Sequence, residues 1–427
     1  MHGMHDRVSK KGYKNREGGS MVLKMLTGSQ AVAWAARLAR VDYIPAYPIT
    51  PQTEIIETLS EWIRKGEMEA TFVQMESEHS LLTAAGTAAA TGARVFTATS
   101  SQGLLYGFEM LYSIAGWRAP LVLVNVARAL AAPITLEPDH NDVLAARDSG
   151  FLQFHAENVQ EALDLVLLAY RVAEDHRVLL PAIVNMDGFH LSFTREQAEL
   201  PEQNAVDQFL PEYRPINPIR ASEPVAKGIP VLIPPLYSFF KYQMHMASRI
   251  ALNVFREAAK EFERMFSRIY APVEEYMVDD ANTVIVMSNS FASIGKQAVN
   301  VLRDEGYKVG LLRMRLFRPF PTDDIVKSLR GKRCVVVIDQ NISVGKGGIT
   351  HPEIAEALYH LEDRPNVILP VVAGLGGKSI SLEEFRHAVR VAERLASLKA
   401  GPDGPLLLFR EDEAALVESL LKTASGG

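Results

Sequence analysis

The stretch Arg94-Val95-Phe96-Thr97-Ala98-Thr99 leads into Ser100-Ser101-Gln102-Gly103, then an apolar run to Gly116, then Pro120-Leu121-Val122-Leu123-Val124-Asn125-Val126, and it decides the fold. Two short β-rich runs flank a polar, glycine-containing turn and an apolar run of helical length. The order reads as strand 94–99, turn, helix 103–116, strand 120–126. Strands joined by a helical crossover lie parallel. The same alternation extends in both directions. Upstream lie a helix at Gly28–Leu38, strands at Tyr43–Ala46 and 71–75, and a helix at Glu78–Thr91; downstream lie a helix at 159–174 and a strand at 179–185. The fold class expected for 21–200 is therefore α/β, a parallel sheet with helices on both faces in three α/β/α layers.

Beyond this unit the composition shifts. Prolines recur at 201, 211, 215, 218, 224, 230, 234 and 235, which marks a connector that cannot join a central sheet. A helix is expected over 240–270, with Tyr242, Met246, Ile250, Val254 and Ala258 near helical spacing. Residues 201–280 thus read as connector and helix. Alternation resumes with strands at 283–287, 308–314, 333–339 and 366–372 and helices at 292–305, 323–329, 352–360 and 382–396. This is a second, smaller α/β domain, 281–427. Residues 1–20 are basic and glycine-containing without an apolar signal core, and are expected to be a disordered leader.

The 427-residue chain is 48% hydrophobic and 22% charged, with a net charge of −6, which is ordinary globular composition. Mild acidity points away from nucleic acid as a partner. No stretch is long and apolar enough to span a bilayer, and nothing suggests export, so a cytoplasmic location is expected. The single cysteine, Cys334, lies in an apolar strand run and reads as a core residue; one cysteine excludes an internal disulfide or a four-cysteine iron–sulfur cluster on this chain.

In open α/β sheets, ligands bind beyond the carboxyl ends of the strands. The segments there are Tyr47-Pro48-Ile49-Thr50-Pro51, Glu76-Ser77-Glu78-His79, Ser100-Ser101-Gln102-Gly103, Ala127-Arg128-Ala129-Leu130 and Met186-Asp187-Gly188-Phe189. Hydroxyls, carboxylates, an amide and a guanidinium gather on one edge. His79 and His140 have no second ligand at metal spacing, so each reads as a structural hydrogen-bonding group and no metal site is expected on this chain. Gly345-Lys346-Gly347-Gly348 and Gly374-Leu375-Gly376-Gly377 are incomplete dinucleotide fingerprints and read as turns.

In this order and spacing, Tyr47-Pro48-Ile49-Thr50-Pro51, Ser77-Glu78, Thr97 through Leu104, Ala127 through Leu130 and Asp139-His140-Asn141-Asp142 resemble the α subunit of 2-oxoacid:ferredoxin oxidoreductases, pyruvate:ferredoxin oxidoreductase above all. Arg315-Leu316-Phe317-Arg318-Pro319-Phe320-Pro321 and Gly374 to Gly377 match too, so the resemblance runs from about Met21 to Ala396. It implies a thiamine pyrimidine-binding domain followed by a transketolase C-terminal-like domain. The implied reaction is CoA-dependent oxidative decarboxylation of pyruvate or a similar 2-oxoacid to acyl-CoA and CO2, with electrons passing to iron–sulfur clusters and then to ferredoxin or another acceptor.

The resemblance assigns Glu78 to N1′ of the thiamine pyrimidine, where a shielded carboxyl suits proton sharing; the competing candidate is Glu76. It assigns Thr50 and Arg128 to the substrate carboxylate, which a guanidinium fork matches well. The alternatives for Arg128 are a solvated loop arginine or a salt bridge to Asp139 or Asp142. Ser101, Gln102 and Gly103 are expected to contact cofactor at a helix start. The chain has no Gly-Asp-Gly diphosphate motif, so the diphosphate and Mg2+ site is expected on a β subunit and the clusters on a ferredoxin-like δ subunit, with a γ subunit completing the complex.

Two departures bear on the substrate. The run Leu232-Ile233-Pro234-Pro235-Leu236-Tyr237-Ser238-Phe239-Phe240 is unusually aromatic, which suits a pocket for phenylglyoxylate or another aromatic or branched 2-oxoacid, or equally an interface or a piece of core. Gln340 stands where relatives often have arginine. Two other classes compete: half of a non-oxidative thiamine enzyme, and a binding subunit without chemistry. A neighbouring cysteine-rich ferredoxin-like chain would exclude the first, and loss of activity in Glu78→Ala the second.

Overall fold

In the computed structural model, which describes residues 22–424, the first half of the chain is built on a parallel sheet. Its elements are β1 (Val22–Thr27), α1 (Gly28–Leu38), β2 (Tyr43–Ala46), α2 (Thr53–Arg64), β3 (Thr71–Gln74), α3 (Glu78–Thr91), β4 (Phe96–Thr99), α4 (Gln102–Tyr106), α5 (Phe108–Gly116), β5 (Val122–Ala127), α6 (Asn141–Ala145), β6 (Leu152–His155), α7 (Val159–Ala173), β7 (Ala182–Asp187) and β8 (Arg195–Leu200). Strands β4, β5, β7 and β6 run parallel in that spatial order, and a parallel bridge from Tyr43 to Val95 carries the β2–β3 pair alongside β4. The leader expected over 1–20 lies outside the described residues.

Strand alternation sorts the core into layers. Val122, Val124 and Val126 join the cluster formed with α1 and α7, whereas Leu121 and Leu123 join the cluster formed with α3 and α5. Helix starts are capped by side chains: Thr27 with Gln30 in a capping box, Ser77 onto Ser80 N–H and Asn158 onto Glu161 N–H. The single helix expected over 103–116 is two, broken at Gly107. There a Cβ would lie 2.4 Å from Leu82 Cδ1 and 3.0 Å from the Glu78 carbonyl oxygen, so the chain bends where it crosses the start of α3. The antiparallel pair β1–β8 and the short β6 were not legible in the sequence.

The connector forms α8 (Gln203–Phe209), then neither helix nor strand until α9 (Pro234–Phe266). That helix starts six residues before the expected boundary because Pro234 and Pro235 occupy its first turn, where a missing N–H costs nothing. Its buried stripe, Ala247, Ala251, Val254, Phe255, Ala258, Phe262 and Phe266, lies wholly in the latter part and packs on α7.

The second half comprises β9 (Val273–Tyr276), β10 (Thr283–Ser288), α10 (Phe291–Asp304), β11 (Val309–Met314), β12 (Leu316–Arg318), α11 (Thr322–Leu329), β13 (Cys334–Asp339), α12 (Thr350–Leu358), β14 (Val367–Val372), α13 (Leu382–Leu398), β15 (Leu406–Leu407) and α14 (Glu411–Ala424). Its sheet has the order β15-β14-β13-β10-β11-β9. Cys334 is buried in β13, and burial pushes its thiol up to about 11, as suits a core residue. Gly345, Gly347, Gly374, Gly376 and Gly377 all have positive φ, in keeping with turns.

The two halves are interlocked. After β11 the chain leaves the second sheet, and β12 pairs antiparallel with β6 as the edge strand of the first. Next to it, the fully buried Arg313 meets Glu161 of α7 at 2.8 Å, Glu157 at 3.2 Å and Glu274 of β9 at 2.8 Å. Burial opposes ionisation of Glu161, but Arg313 and Arg315 override it and hold this carboxyl down to about 2. Among the described residues, no helix is long and apolar enough to cross a membrane.

Candidate functional site

The carboxyl ends of β4 and β5 and the start of α3 bring the sequence candidates together. Glu78 opens α3, and its side chain is buried although carboxylates rarely are. Directly over it lies Gly103: a Cβ there would sit 2.6 Å from Glu78 Oε1 and 2.5 Å from Thr99 Oγ1. Only a glycine leaves room for that carboxyl. Glu76, the competitor, is exposed and accepts a hydrogen bond from Ser80 Oγ; β3 ends at Gln74, before reaching it.

Arg128 follows β5. Its Nη1 donates to the Thr50 carbonyl at 2.7 Å and its Nη2 to Gln102 Oε1 at 2.8 Å. Thr50 itself is exposed, and its backbone carbonyl steadies the guanidinium. Ser101 Oγ lies 2.6 Å from Gln102 Oε1 and 3.0 Å from the Ala129 carbonyl. Burial pushes the Arg128 guanidinium down, while Asp142 and Glu78 favour its charged form. The six candidates thus form one constellation. The salt bridge from the Arg128 guanidinium to Asp139 or Asp142 is not formed among the described residues; Asp142 takes the backbone N–H of Arg128 instead.

Asp142 is the residue that sequence reasoning undervalued. Fully buried, its Oδ2 accepts from Ser101 N–H at 3.1 Å, Asn125 Nδ2 at 3.0 Å and Arg128 N–H at 3.3 Å, and its Oδ1 from Val143 N–H at 2.6 Å. Burial pushes this carboxyl up to about 6 against those hydrogen bonds. Asn125 also donates to Asn185 Oδ1 at 2.8 Å across the β5–β7 pair. The available signal was an asparagine inside each of two apolar runs, Val122 to Ala127 and Ala182 to Asp187.

A second polar knot lies at the end of β7. His140 Nε2 and Asp187 Oδ1 are 2.9 Å apart, and Asp187 also accepts from Asn289 Nδ2 at 3.0 Å and Ser290 N–H at 3.0 Å of the second half. His140 therefore has the structural role read from the sequence, whereas His79 is half-buried, 3.7 Å from Glu109. Gln340 is buried and its carbonyl accepts from His140 N–H at 2.8 Å. The large side chains of the aromatic run from Leu232 to Phe240 are exposed rather than part of the core.

Four polar atoms near Glu78 and Arg128 are buried without partners: Thr99 Oγ1, Ser100 Oγ, Gln102 Nε2 and Arg128 Nε. Buried polar groups are nearly always hydrogen-bonded in native proteins. Unmet donors and acceptors around a carboxyl and a cradle that no Cβ can enter fit a bound polar heterocycle with an acidic co-ligand.

Comparison with known proteins agrees with this architecture. Residues 34–260 match the family described as pyruvate flavodoxin/ferredoxin oxidoreductase, thiamine diphosphate-binding, and residues 281–385 match pyruvate:ferredoxin oxidoreductase core domain II. The chain is 42% identical to pyruvate synthase subunit PorA of Methanothermobacter thermautotrophicus over 373 residues, covering 87% of this chain and 96% of that one. It is 41% identical to ketoisovalerate oxidoreductase subunit VorA of Pyrococcus horikoshii over 367 residues, covering 86% and 92%. Among solved structures, a 2-oxoglutarate:ferredoxin oxidoreductase from Magnetococcus marinus, with 2-oxoglutarate, coenzyme A and succinyl-CoA bound, has the same fold at a TM-score of 0.65 and 20% identity; the match covers 88% of this chain and 65% of that one. A split-gene transketolase aligns at a TM-score of 0.53 and 13% identity, covering 88% and 99%. The chain belongs to the pyruvate flavodoxin/ferredoxin oxidoreductase family, among the subunits of 2-oxoacid:ferredoxin oxidoreductases.

Proposed function

We propose that this chain supplies the pyrimidine half of a thiamine diphosphate site in a cytoplasmic, CoA-dependent pyruvate:ferredoxin oxidoreductase. The observation that carries the reading is the buried Glu78 carboxyl beneath Gly103, with its charge neighbour Arg128 alongside. When bound, thiamine diphosphate supplies the nucleophilic carbon and the electron sink for decarboxylation. Glu78 holds a proton at N1′ of the pyrimidine. Ser101, Gln102 and Gly103, at the start of α4, would contact the bound cofactor. Arg128 binds the substrate carboxylate through the donors left over, since Thr50 and Gln102 take only one hydrogen from each terminal nitrogen. The Thr50 hydroxyl adds a further donor to that carboxylate. Asp142 holds the Ser101 and Arg128 backbones in register and excludes water beneath them.

The rest of the machinery we assign to other chains: diphosphate and Mg2+ to a β subunit, iron–sulfur clusters to a ferredoxin-like δ subunit, a γ subunit beside them, and ferredoxin or another carrier as acceptor. We also take 21–200 as the pyrimidine domain, 201–280 as the connector and 281–427 as the transketolase C-terminal-like domain. A branched-chain 2-oxoacid is the second reading, because VorA matches almost as well as PorA. The test is CoA-dependent dye reduction by the purified complex across pyruvate, 2-oxobutyrate, 2-oxoisovalerate, 2-oxoglutarate and phenylglyoxylate, with wild-type chain and Glu78→Gln. Turnover of pyruvate that Glu78→Gln abolishes is the expected result. Preference for 2-oxoisovalerate moves the substrate and keeps the mechanism. Unchanged turnover in Glu78→Gln refutes the assignment.

A further inference from the structure

From Pro211 to Lys227 the connector is held to the body at several points, and beyond Lys227 it stands away. Ile219 N–H donates to the Ala90 carbonyl at 2.9 Å, and Lys227 Nζ to the Trp117 carbonyl at 3.4 Å. The chain returns at Met244, whose Cε packs against Gly150, and at the buried Ala247. Between these anchors, Leu232, Ile233, Tyr237, Phe239, Phe240 and Tyr242 are exposed, from 40% for Phe240 to 89% for Leu232. From Pro234 to Phe240 the start of α9 is apolar except for Ser238, and such a surface is normally covered. At about 200 Å2 for a fully exposed large side chain, these six present on the order of 700 Å2. That exceeds an ordinary surface patch and approaches the roughly 800 Å2 per partner of a stable interface.

Charge selects the occupant. From Pro224 to Arg256 the sequence has no aspartate or glutamate, although the whole chain has 51 and a net charge of −6. The segment carries Lys227, Lys241, His245, Arg249 and Arg256. Neither Lys241 nor Arg249 forms an ion pair among the described residues. Two such arms pressed together would set cation against cation. We propose that residues 229–249 form an arm that docks into an apolar groove rimmed by carboxylates on a different subunit of the oxidoreductase complex. The inference rests on the chain being one subunit of several, not on the roles given to Glu78 or Arg128.

The test uses full-length variants recombined with the subunits of the native complex. In one, Leu232→Ser, Tyr237→Ser and Phe239→Ser remove the anchors; in the other, Lys241→Glu and Arg249→Glu reverse the charge. All five side chains are exposed, so thermal unfolding of the isolated chain stays at the wild-type temperature. The apolar variant weakens assembly, measured by sedimentation, by about 100-fold or more. The charge variant weakens it by about 10-fold and removes its salt dependence. At saturating partner, turnover returns to the wild-type value. Unchanged assembly affinity in both variants overturns the proposal. So does dimerisation of the isolated wild-type chain that both variants abolish, because the occupant is then a second copy, with α14 and its exposed Leu416 and Leu420 beside Glu411, Asp412, Glu413 and Glu418 as the groove. Binding of wild-type chain alone to anionic vesicles, lost in the charge variant while assembly is kept, also overturns it. Variant-sensitive assembly without turnover of any 2-oxoacid would leave the arm standing and sink the proposed reaction instead.

Discussion

Replacing Gly103 by alanine adds one methyl group at the most crowded point of the site. Its Cβ would lie 2.6 Å from Glu78 Oε1, 2.9 Å from Glu78 Cγ and 2.5 Å from Thr99 Oγ1. To regain ordinary contact at about 3.4 Å, the Glu78 carboxyl has to retreat by about 0.8 Å. Gly103 lies in a helix without positive φ, so the backbone accepts alanine and the whole effect falls on the neighbours. Overpacking of this kind costs about 1–3 kcal/mol in stability, and misplacement of a reacting group by about 1 Å costs on the order of 100-fold in rate. Expected in the dye-reduction assay are a kcat lower by about that factor and a pyruvate KM changed much less, since Arg128 keeps both partners. Gly116→Ala is the control: nothing lies within 4 Å of its Cβ position, so full activity and a gain of about 0.5–1 kcal/mol follow. Wild-type kcat in Gly103→Ala would refute the placement of Glu78 at the reacting centre.

Arg128→Lys cannot reach both the Thr50 carbonyl and Gln102 Oε1, so the 2-oxoacid KM should rise roughly 10- to 100-fold while the fold persists; an unchanged KM contradicts its carboxylate role. In Asp142→Asn the remaining carbonyl oxygen can still face Ser101, Asn125 and Arg128 and only the Val143 N–H goes unmet, for a loss of about 1–3 kcal/mol by denaturant unfolding. Asp142→Leu leaves all four donors unmet and should cost more than twice as much while raising the KM; equal stability of the two variants argues against the network. Burial holds the His155 imidazole down to about 3. The unfolded chain takes up that proton below about pH 6.5 and the folded chain does not, so this group's contribution is present at neutral pH and is lost as pH falls from about 6.5 toward 3. His155→Gln should flatten the fall of Tm over that window, and an undiminished slope would show that other groups carry it.

Sequence periodicity was sufficient wherever an element buries one defined face. Glu78–Thr91 and Gly28–Leu38 were legible to the residue, because capping and apolar spacing coincide there. Thr50, Glu78, Ser101 and Arg128 lie in segments that follow strand ends, and the family resemblance singled them out among the polar residues there. What holds them was not legible: Asp142 meets three of its four donors across 14 to 41 residues of chain, and no local spacing encodes that. The break at Gly107 was missed for a related reason, since it is imposed by Leu82 and Glu78 of another helix. The partner of β6 was missed because it comes from beyond residue 315.

That last pairing sets an order of events during synthesis. While the ribosome is still making the second half, the first sheet has a bare edge at β6, and β12 cannot cover it until at least residue 318 has emerged. Exposed edges recruit other strands, so the nascent chain passes through a stage in which self-association competes with completion. A fragment ending near residue 280 is held permanently at that stage and loses the Arg313 anchor as well. The two halves are distinct sheets in the finished molecule, yet the first is completed only by a strand of the second, so higher soluble expression is expected of a chain that carries both.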